Sequence, residues 1–259
     1  MLSLRVLNPA KDNIDDALIV RHLVFGVQER LLSKPDVDEY DYLPSTRHPV
    51  VYKGSQPIAT ARILFRNATV ARARGRHFGF ALEELLDLSP FIASGLSVAE
   101  SGRVAVLRKH RGGLASWILL AGIHEVSLRA GTDVWLAVAN AETDSATEVS
   151  LMARVARERQ LEGPWRVSAR VPSSPPANPV ATFYEEPAWE LANQGELSRL
   201  PLPEVLTLFT QRMGARIMGD PLFLSEFSRW SFPIFAMLGG IPASTLDRFD
   251  SLAMAHPPA

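Results

Sequence analysis

The segment Glu100-Ser101-Gly102-Arg103-Val104-Ala105-Val106, followed after Leu107 by Arg108-Lys109-His110-Arg111-Gly112-Gly113-Leu114-Ala115, holds the residue types best suited to chemistry. A carboxylate on a strand, its pKa raised by burial, can take a proton from an amine. A glycine pair flanked by arginine and opening a helix leaves backbone N–H groups free at the positive end of the helix dipole. Such a loop suits a pyrophosphate or a pantetheine amide. Strand alternation puts Glu100 and Arg103 on opposite faces unless a bulge intervenes, and Gly102 is the expected bulge residue. The plainer alternative for the pair is an intrastrand salt bridge or two solvated side chains.

Charged residues elsewhere extend this reading. Arg21, Arg62 and Arg103 could converge on an amino-acid carboxylate, which a bidentate guanidinium fits well. Asp38 and Asp41 would then hold a second amine or orient an arginine. The same residues could equally form an ion-pair network that closes the first helix over the sheet. Arg72, Arg74 and Arg76 together with Arg108, Lys109 and Arg111 make a candidate docking patch for an acidic partner.

Other chemistries are missing from the sequence. There is no cysteine, which excludes a disulfide framework, a thiolate metal site and a Cys nucleophile together. His22, His48, His77, His110, His124 and His256 show no ligand spacing, and no HExxH, GxSxG or Walker A motif occurs. No metal is expected.

The elements that must position these residues follow from periodicity. A strand is expected over Leu2–Leu7, then a helix from about Asp15 to Leu32 with Val20, Val24, Val27 and Leu31 at helical spacing. Pro49–Lys53 and Ile58–Phe65 flank Gly54-Ser55 as a hairpin. Residues 67–95 are less regular, with a short helix at Ala81–Leu88. A strand at Val98–Val106, a helix at Leu114–Ala130, a strand at Val134–Val138 and a helix from Asp144 to about Arg159 complete the first part. The segment Val171–Val180 is too rich in Pro and Ser for regular structure. Beyond it, Pro203–Met218 is helical in pattern and Ser231–Leu238 reads as a strand. The expected division is a core over 1–170, a connector over 171–180 and a C-terminal extension over 181–259, packed on or completing the core. The class is α/β with a mixed sheet.

The chain has 259 residues, 47% of them hydrophobic and 21% charged, with a formal net charge of -1. That balance fits a globular protein with a large core and disfavours nucleic-acid binding, which needs cationic faces. The start of the chain lacks the pattern of a signal peptide. The apolar stretches Ile118–Ile123 and Phe232–Ile241 fall below the roughly 18 residues of a membrane span. A cytoplasmic protein is expected. The stretch Trp230–Ile241 reads first as core, with an acyl tunnel or a transient membrane contact as the alternative.

Several short motifs, in one order, carry a resemblance. Arg21-His22-Leu23-Val24-Phe25 looks like an R-x-x-V-F helix, and Asp36-Val37-Asp38-Glu39-Tyr40-Asp41 like an acidic E/D-x-D-x-F/Y-D segment followed by His48. Ala59-Thr60-Ala61-Arg62-Ile63-Leu64 looks like a G-T-x-R-L-L strand, and Glu100-Ser101-Gly102-Arg103 like E-x-x-R. Met213-Gly214-Ala215-Arg216-Ile217-Met218-Gly219 is similar to L-G-A-R-I-x-G. Over roughly residues 2–240 the sequence thus resembles the N-acyltransferase branch of the GNAT superfamily. The nearest likeness is to N-acyl amino acid synthases and ornithine acyltransferases, with exosortase-associated acyltransferases equally similar.

The resemblance implies a GNAT-like, mostly antiparallel mixed sheet flanked by helices, with a C-terminal extension. It implies transfer of a fatty acyl group from acyl carrier protein or CoA to an amine or amino acid, with no tightly bound cofactor. It places Glu100 and Arg103 in catalysis, and Arg21, Phe25, Asp38, Asp41 and Arg62 in substrate binding. Val104, Val106, Arg111, Gly112 and Gly113 would bind the acyl donor. Acyl-homoserine-lactone synthases, which use S-adenosylmethionine, share many of these positions. They also carry a Trp after the Phe that this chain lacks, and they usually end before any segment like 180–259. The incomplete pyrophosphate loop leaves a non-catalytic acyl-thioester sensor as the alternative from another class.

Overall fold

The computed structural model describes residues 1–255; His256 lies outside them. Strand β1 (Leu2–Leu7) leads to α1 (Asp15–Arg21), whose first turn carries Asp15 and Asp16 against the helix dipole. Instead of running on as an α-helix to Leu32, the chain widens into a π-helix over His22–Gln28. The wider turn rotates later residues about the axis, so Val20 and Val24 are buried while Val27 is 54% exposed. The hairpin forms as β2 (Thr46–Lys53) and β3 (Gln56–Phe65).

Residues 67–95 differ most from expectation. A helix α2 (Ala68–Arg74) forms where none was expected, capped by the Asn67 side chain, which accepts from the Val70 N–H at 3.1 Å. The expected helix Ala81–Leu88 is one 3₁₀ turn over Ala81–Glu84, then β4 (Leu86–Asp87) and α3 (Ser89–Ser94). Glu83 is the reason: its buried carboxylate accepts from the N–H groups of His77, Phe78, Gly79 and Phe80, which ties the turn to the preceding loop.

Strand β5 (Val98–Val106), α4 (Leu114–Arg129), β6 (Val134–Asn140) and α5 (Ala146–Glu158) follow close to expectation. Then comes β7 (Glu162–Ala169), which the periodicity did not reveal. Residues 171–180 have no regular structure, and α6 (Glu186–Asn193) follows them. The expected helix Pro203–Met218 splits in two: α7 (Glu204–Arg212) ends, and Arg216–Gly219 becomes β8. Gly214, at φ 63, is the stop, and a Cβ there would meet the Gly240 carbonyl oxygen at 2.6 Å. The chain closes with β9 (Leu222–Leu224), β10 (Arg229–Met237) and α8 (Ala243–Ala255).

One sheet takes the order β1-β2-β3-β5-β6-β10-β8-β7-β4, with β9 paired to β10. All pairs are antiparallel except β5–β6 and β7–β8. Strand β10 lies between β6 and β8, so residues beyond the connector enter the middle of the same sheet. Asp144 accepts from the N–H of Val180 and of Ala181, each at 3.0 Å, and Glu148 from that of Tyr184 at 2.9 Å. These bonds anchor the chain as it leaves the connector.

Alternation gives the sheet two apolar faces. Ala99 and Trp135 join the larger core with α4, whereas Val98, Val134 and Leu136 join a second cluster with Phe78, Phe80 and Phe91. Among the described residues, no helix is long and apolar enough to cross a membrane.

Candidate active site

Parallel strands β5 and β6 pair only at Val98–Val134, Ala99–Trp135 and Glu100–Leu136. Beyond Glu100 they separate: β5 continues against β3 alone, and residues 137–140 of β6 pair with β10. The sheet therefore forks, and Glu100 sits at the last paired position. Backbone groups of β5 past Glu100 have no strand partner on the fork side, so they are free to bond an inserted chain.

Glu100 is buried and its Oε2 accepts from the Leu82 N–H at 2.9 Å. Burial pushes its carboxyl up from the ordinary range, and the charges of Arg62 and Arg103 only partly offset that. The expected bulge is present, but not at Gly102. Between Thr60 and Arg62 of β3, the partner residues on β5 jump from Ala105 to Gly102. Arg103, at φ 51, adopts the left-handed conformation. A non-glycine residue held there stores strain, which concentrates at functional positions. The extra residue brings Arg103 round toward the same charged cluster as Arg62.

That cluster satisfies itself. Arg21 is fully buried: its Nε–H donates to Asp36 at 2.7 Å, while its two terminal nitrogens donate to both oxygens of Asp41. Arg62 donates to Asp38 at 2.6 Å and to Asp41 at 3.0 Å. Arg103 lies 3.3 Å from Asp36, 3.7 Å from Asp38 and 3.1 Å from Glu226. Burial alone would push the Asp41 carboxyl up, but the bonds and charge of Arg21, with Arg62 behind, hold it below the usual carboxylate range. Arg21 and Asp41, expected to bind substrate, are brought together inside this network. Arg21 divides its donors between Asp36 and Asp41, Asp41 accepts from Arg21, Arg62 and the Asp38 N–H, and both are fully buried. His48 backs the network by donating from Nε2 to the Asp41 carbonyl at 3.0 Å, and burial lowers its pKa.

Arg103 is the exception. It is 14% exposed, and its guanidinium lies 4.9 Å from the centre of the Phe227 ring. Phe227 in turn meets Phe25 edge-on at 5.8 Å. Phe25, Arg103 and the β9–β10 turn thus make one wall of the site. Sequence reasoning missed Glu226 and Phe227, which carry no local signal more than 120 residues from Arg103. Asp36, the partner of Arg21, lies inside the acidic motif.

At the other end of β5, Arg111 Nε–H donates to the Val106 carbonyl at 3.0 Å and pairs with Glu29 at 2.8 Å. Gly112 has φ 65 with open space around it, and Gly113 caps α4 without a side-chain bond. The first N–H groups of a helix of 16 residues therefore face a glycine loop. Val104 and Val106 are half-buried on the fork strand. A narrow apolar crevice, with a cavity volume of about 10 Å³, lies on the opposite face from Glu100, lined by Ser101, Leu120, Ile123, Trp135, Phe209 and Ile234.

The proposed single docking patch does not form. Phe65 pairs with Ala99 and Ala59 with Val106, so Arg72, Arg74 and Arg76 lie beyond one end of β5 and Arg108, Lys109 and Arg111 beyond the other. Arg74 and Arg76 are also paired with Glu84.

A forked sheet with a buried carboxylate at the fork and a glycine loop opening the following helix can seat a thioester arm beside a proton acceptor. Residues 20–121 match the acetyltransferase (GNAT) domain family. No curated protein matches the chain by sequence. Among solved structures it is similar to BjaI, a CoA-dependent acyl-homoserine lactone synthase solved with SAM and isopentyl-CoA. The identity is 15% and the TM-score 0.51, covering 99% of this chain and 91% of that one. It is also similar to FeeM, an N-acyl amino acid synthase from uncultured soil microbes, at 12% identity and TM-score 0.51, over 92% and 91% of the two chains. These likenesses establish a shared fold. They also correct one expectation: the match to BjaI spans the residues after 180, so length does not separate this chain from lactone synthases.

Proposed function

We propose that this protein moves a fatty acyl group from a phosphopantetheine thioester, on acyl carrier protein or CoA, to the amine of an amino acid or a similar acceptor. The observation that carries the reading is the fork between β5 and β6 with Glu100 at its vertex. The pantetheine arm would lie along the unpaired edge of β5, with its phosphate end toward Gly112 and Gly113. The acyl chain would be directed toward the apolar side chains behind Ser101, which must part to admit it.

A thioester is already activated, so positioning, deprotonation and carbonyl polarisation suffice. The amine reaches the thioester carbon from the Glu100 face. As the C–N bond forms, Glu100 takes the amine proton, directly or through a water, and a freed β5 N–H binds the developing oxyanion. The C–S bond then breaks, and the departing thiolate takes up the proton that left the amine, returned from Glu100 through water, to give the free thiol and restore the carboxylate. No acyl-enzyme forms. Asp38 and Arg62 hold the acidic segment over the site, while Arg103 faces the acceptor.

The test is E100Q with decanoyl-CoA and an amino-acid panel, read as thiol release. Turnover is expected to fall at least 100-fold, in the range for loss of a general base, with donor binding unchanged. Wild-type turnover in the variant would remove Glu100 as the base. A homoserine-lactone product from S-adenosylmethionine would instead establish lactone synthesis, the second reading that the likeness to BjaI favours. Donor binding without release in the wild type would point to a sensor.

A further inference from the structure

Tyr40 is the one polar side chain of the acidic segment without a hydrogen bond. It is 5% exposed, and its phenol oxygen is buried without a hydrogen bond. An unpaired buried hydroxyl costs free energy comparable to a lost hydrogen bond, and in a native structure it calls for a physical reason.

The backbone of Tyr40 is held firmly. Its N–H donates to Asp38 Oδ1 at 2.9 Å, and its carbonyl accepts from Thr46 Oγ1 at 2.6 Å. The Arg62 and Arg74 guanidinium groups lie 6.0 and 5.6 Å from the ring centre. The ring packs in the same apolar cluster as Leu64 and Leu82. Leu64 stands opposite Glu100 across β3 and β5, and the Leu82 N–H holds the Glu100 carboxyl. Tyr40 therefore shares the sheet face and the immediate surroundings of Glu100. Burial pushes the phenol up to about 12, with the Arg74 charge opposing and Glu100 among the charges that raise it. It keeps its proton throughout the working range.

We infer that Tyr40 is an acceptor-binding residue: its phenol oxygen accepts an N–H from the incoming amine beside Glu100, and its O–H donates to a second polar atom of the same acceptor. A phenol can do both at once. Substrate supplies the partners that the free protein lacks. The inference rests on the acyl-transfer reading and adds a group that recognises the acceptor, not the thioester.

Y40F separates this role from a structural one, because it deletes only the oxygen. Steady-state kinetics with decanoyl-CoA and the best amino-acid acceptor of the wild type should show the acceptor KM rising about tenfold, the loss of one to two hydrogen bonds. The kcat should stay within about threefold and the donor KM should not change. The melting temperature of the free protein should not fall, since no bond is lost there. A wild-type acceptor KM in Y40F, or a melting temperature lowered by several degrees, overturns the assignment while leaving acyl transfer intact. A wild type without amine-dependent thiol release overturns the acyl-transfer reading and this inference with it.

Discussion

Glu100 and Asp41 are both buried carboxyls, yet their surroundings drive them in opposite directions. Burial with a single N–H bond raises Glu100, whereas two arginines lower Asp41 despite burial. Because folded Glu100 binds its proton more tightly than the unfolded chain does, its contribution to stability is fully present below the ordinary glutamate range. It is lost as pH rises through the raised value. E100Q should therefore melt at a higher temperature than wild type at about pH 8, with the gap closing toward about pH 4. Differential scanning calorimetry across that range checks it, and a gap independent of pH would contradict a raised Glu100. Asp41 has the other sign. Its contribution is present above the ordinary aspartate range and is lost as pH falls through the lowered value. D41N removes the charge between two buried guanidiniums and should cost about 3–5 kcal/mol in urea unfolding at neutral pH. A cost below about 1 kcal/mol would mean that the network relaxes around the loss.

At the scale of elements, the β5 bulge decides what the site contains. Without it, Arg103 would point with Ser101 into the apolar crevice; with it, Arg103 meets Asp36 and Asp38. R103A and R103G both delete the guanidinium, but only glycine suits the left-handed backbone. R103G should be more stable than R103A by about 1 kcal/mol, measured by chemical denaturation, and the reverse order would mean the bulge is not retained. The bulge was readable from the odd spacing of Glu100 and Arg103. Its left-handed residue was not, because glycine is the usual occupant and Gly102 stood next to it. The split of Pro203–Met218 was also readable in principle: Met213-Gly214 is a helix-stop signal. The apolar spacing across that stop masked it, since Leu206 and Met213 of α7 and its cap and Ile217 and Met218 of β8 are all buried. Strand β7 gave little signal, as most of its residues are exposed or half-buried.

At the scale of the molecule, the residues after the connector are structural as well as local to the site. Strand β10 covers β6 along its length, and the β9–β10 turn supplies Glu226 and Phe227 to Arg103. Removing 171–259 would leave β6 as an exposed apolar edge in the middle of the sheet, which favours aggregation. The fragment 1–170 should fail to give a cooperative thermal transition or dispersed amide NMR signals. A soluble, cooperatively folding fragment would show that the first part stands alone.

The sequence by itself determined the strands and helices with strong local periodicity, such as β1, β5 and α4, because side-chain alternation and apolar spacing are properties of neighbouring residues. It also marked Glu100 and the Gly112-Gly113 loop, whose chemistry is carried within a few positions of the chain. Tertiary structure alone decided which arginines were spent on aspartates and which faced outward. Ion pairing depends on burial and distance between segments that no spacing reports. It alone placed Glu226 and Phe227 beside Arg103, left the Tyr40 phenol without a hydrogen bond on the sheet face of Glu100, and separated the two arginine groups to opposite ends of β5. Each of those outcomes follows from strand order, which is set by how whole faces bury one another.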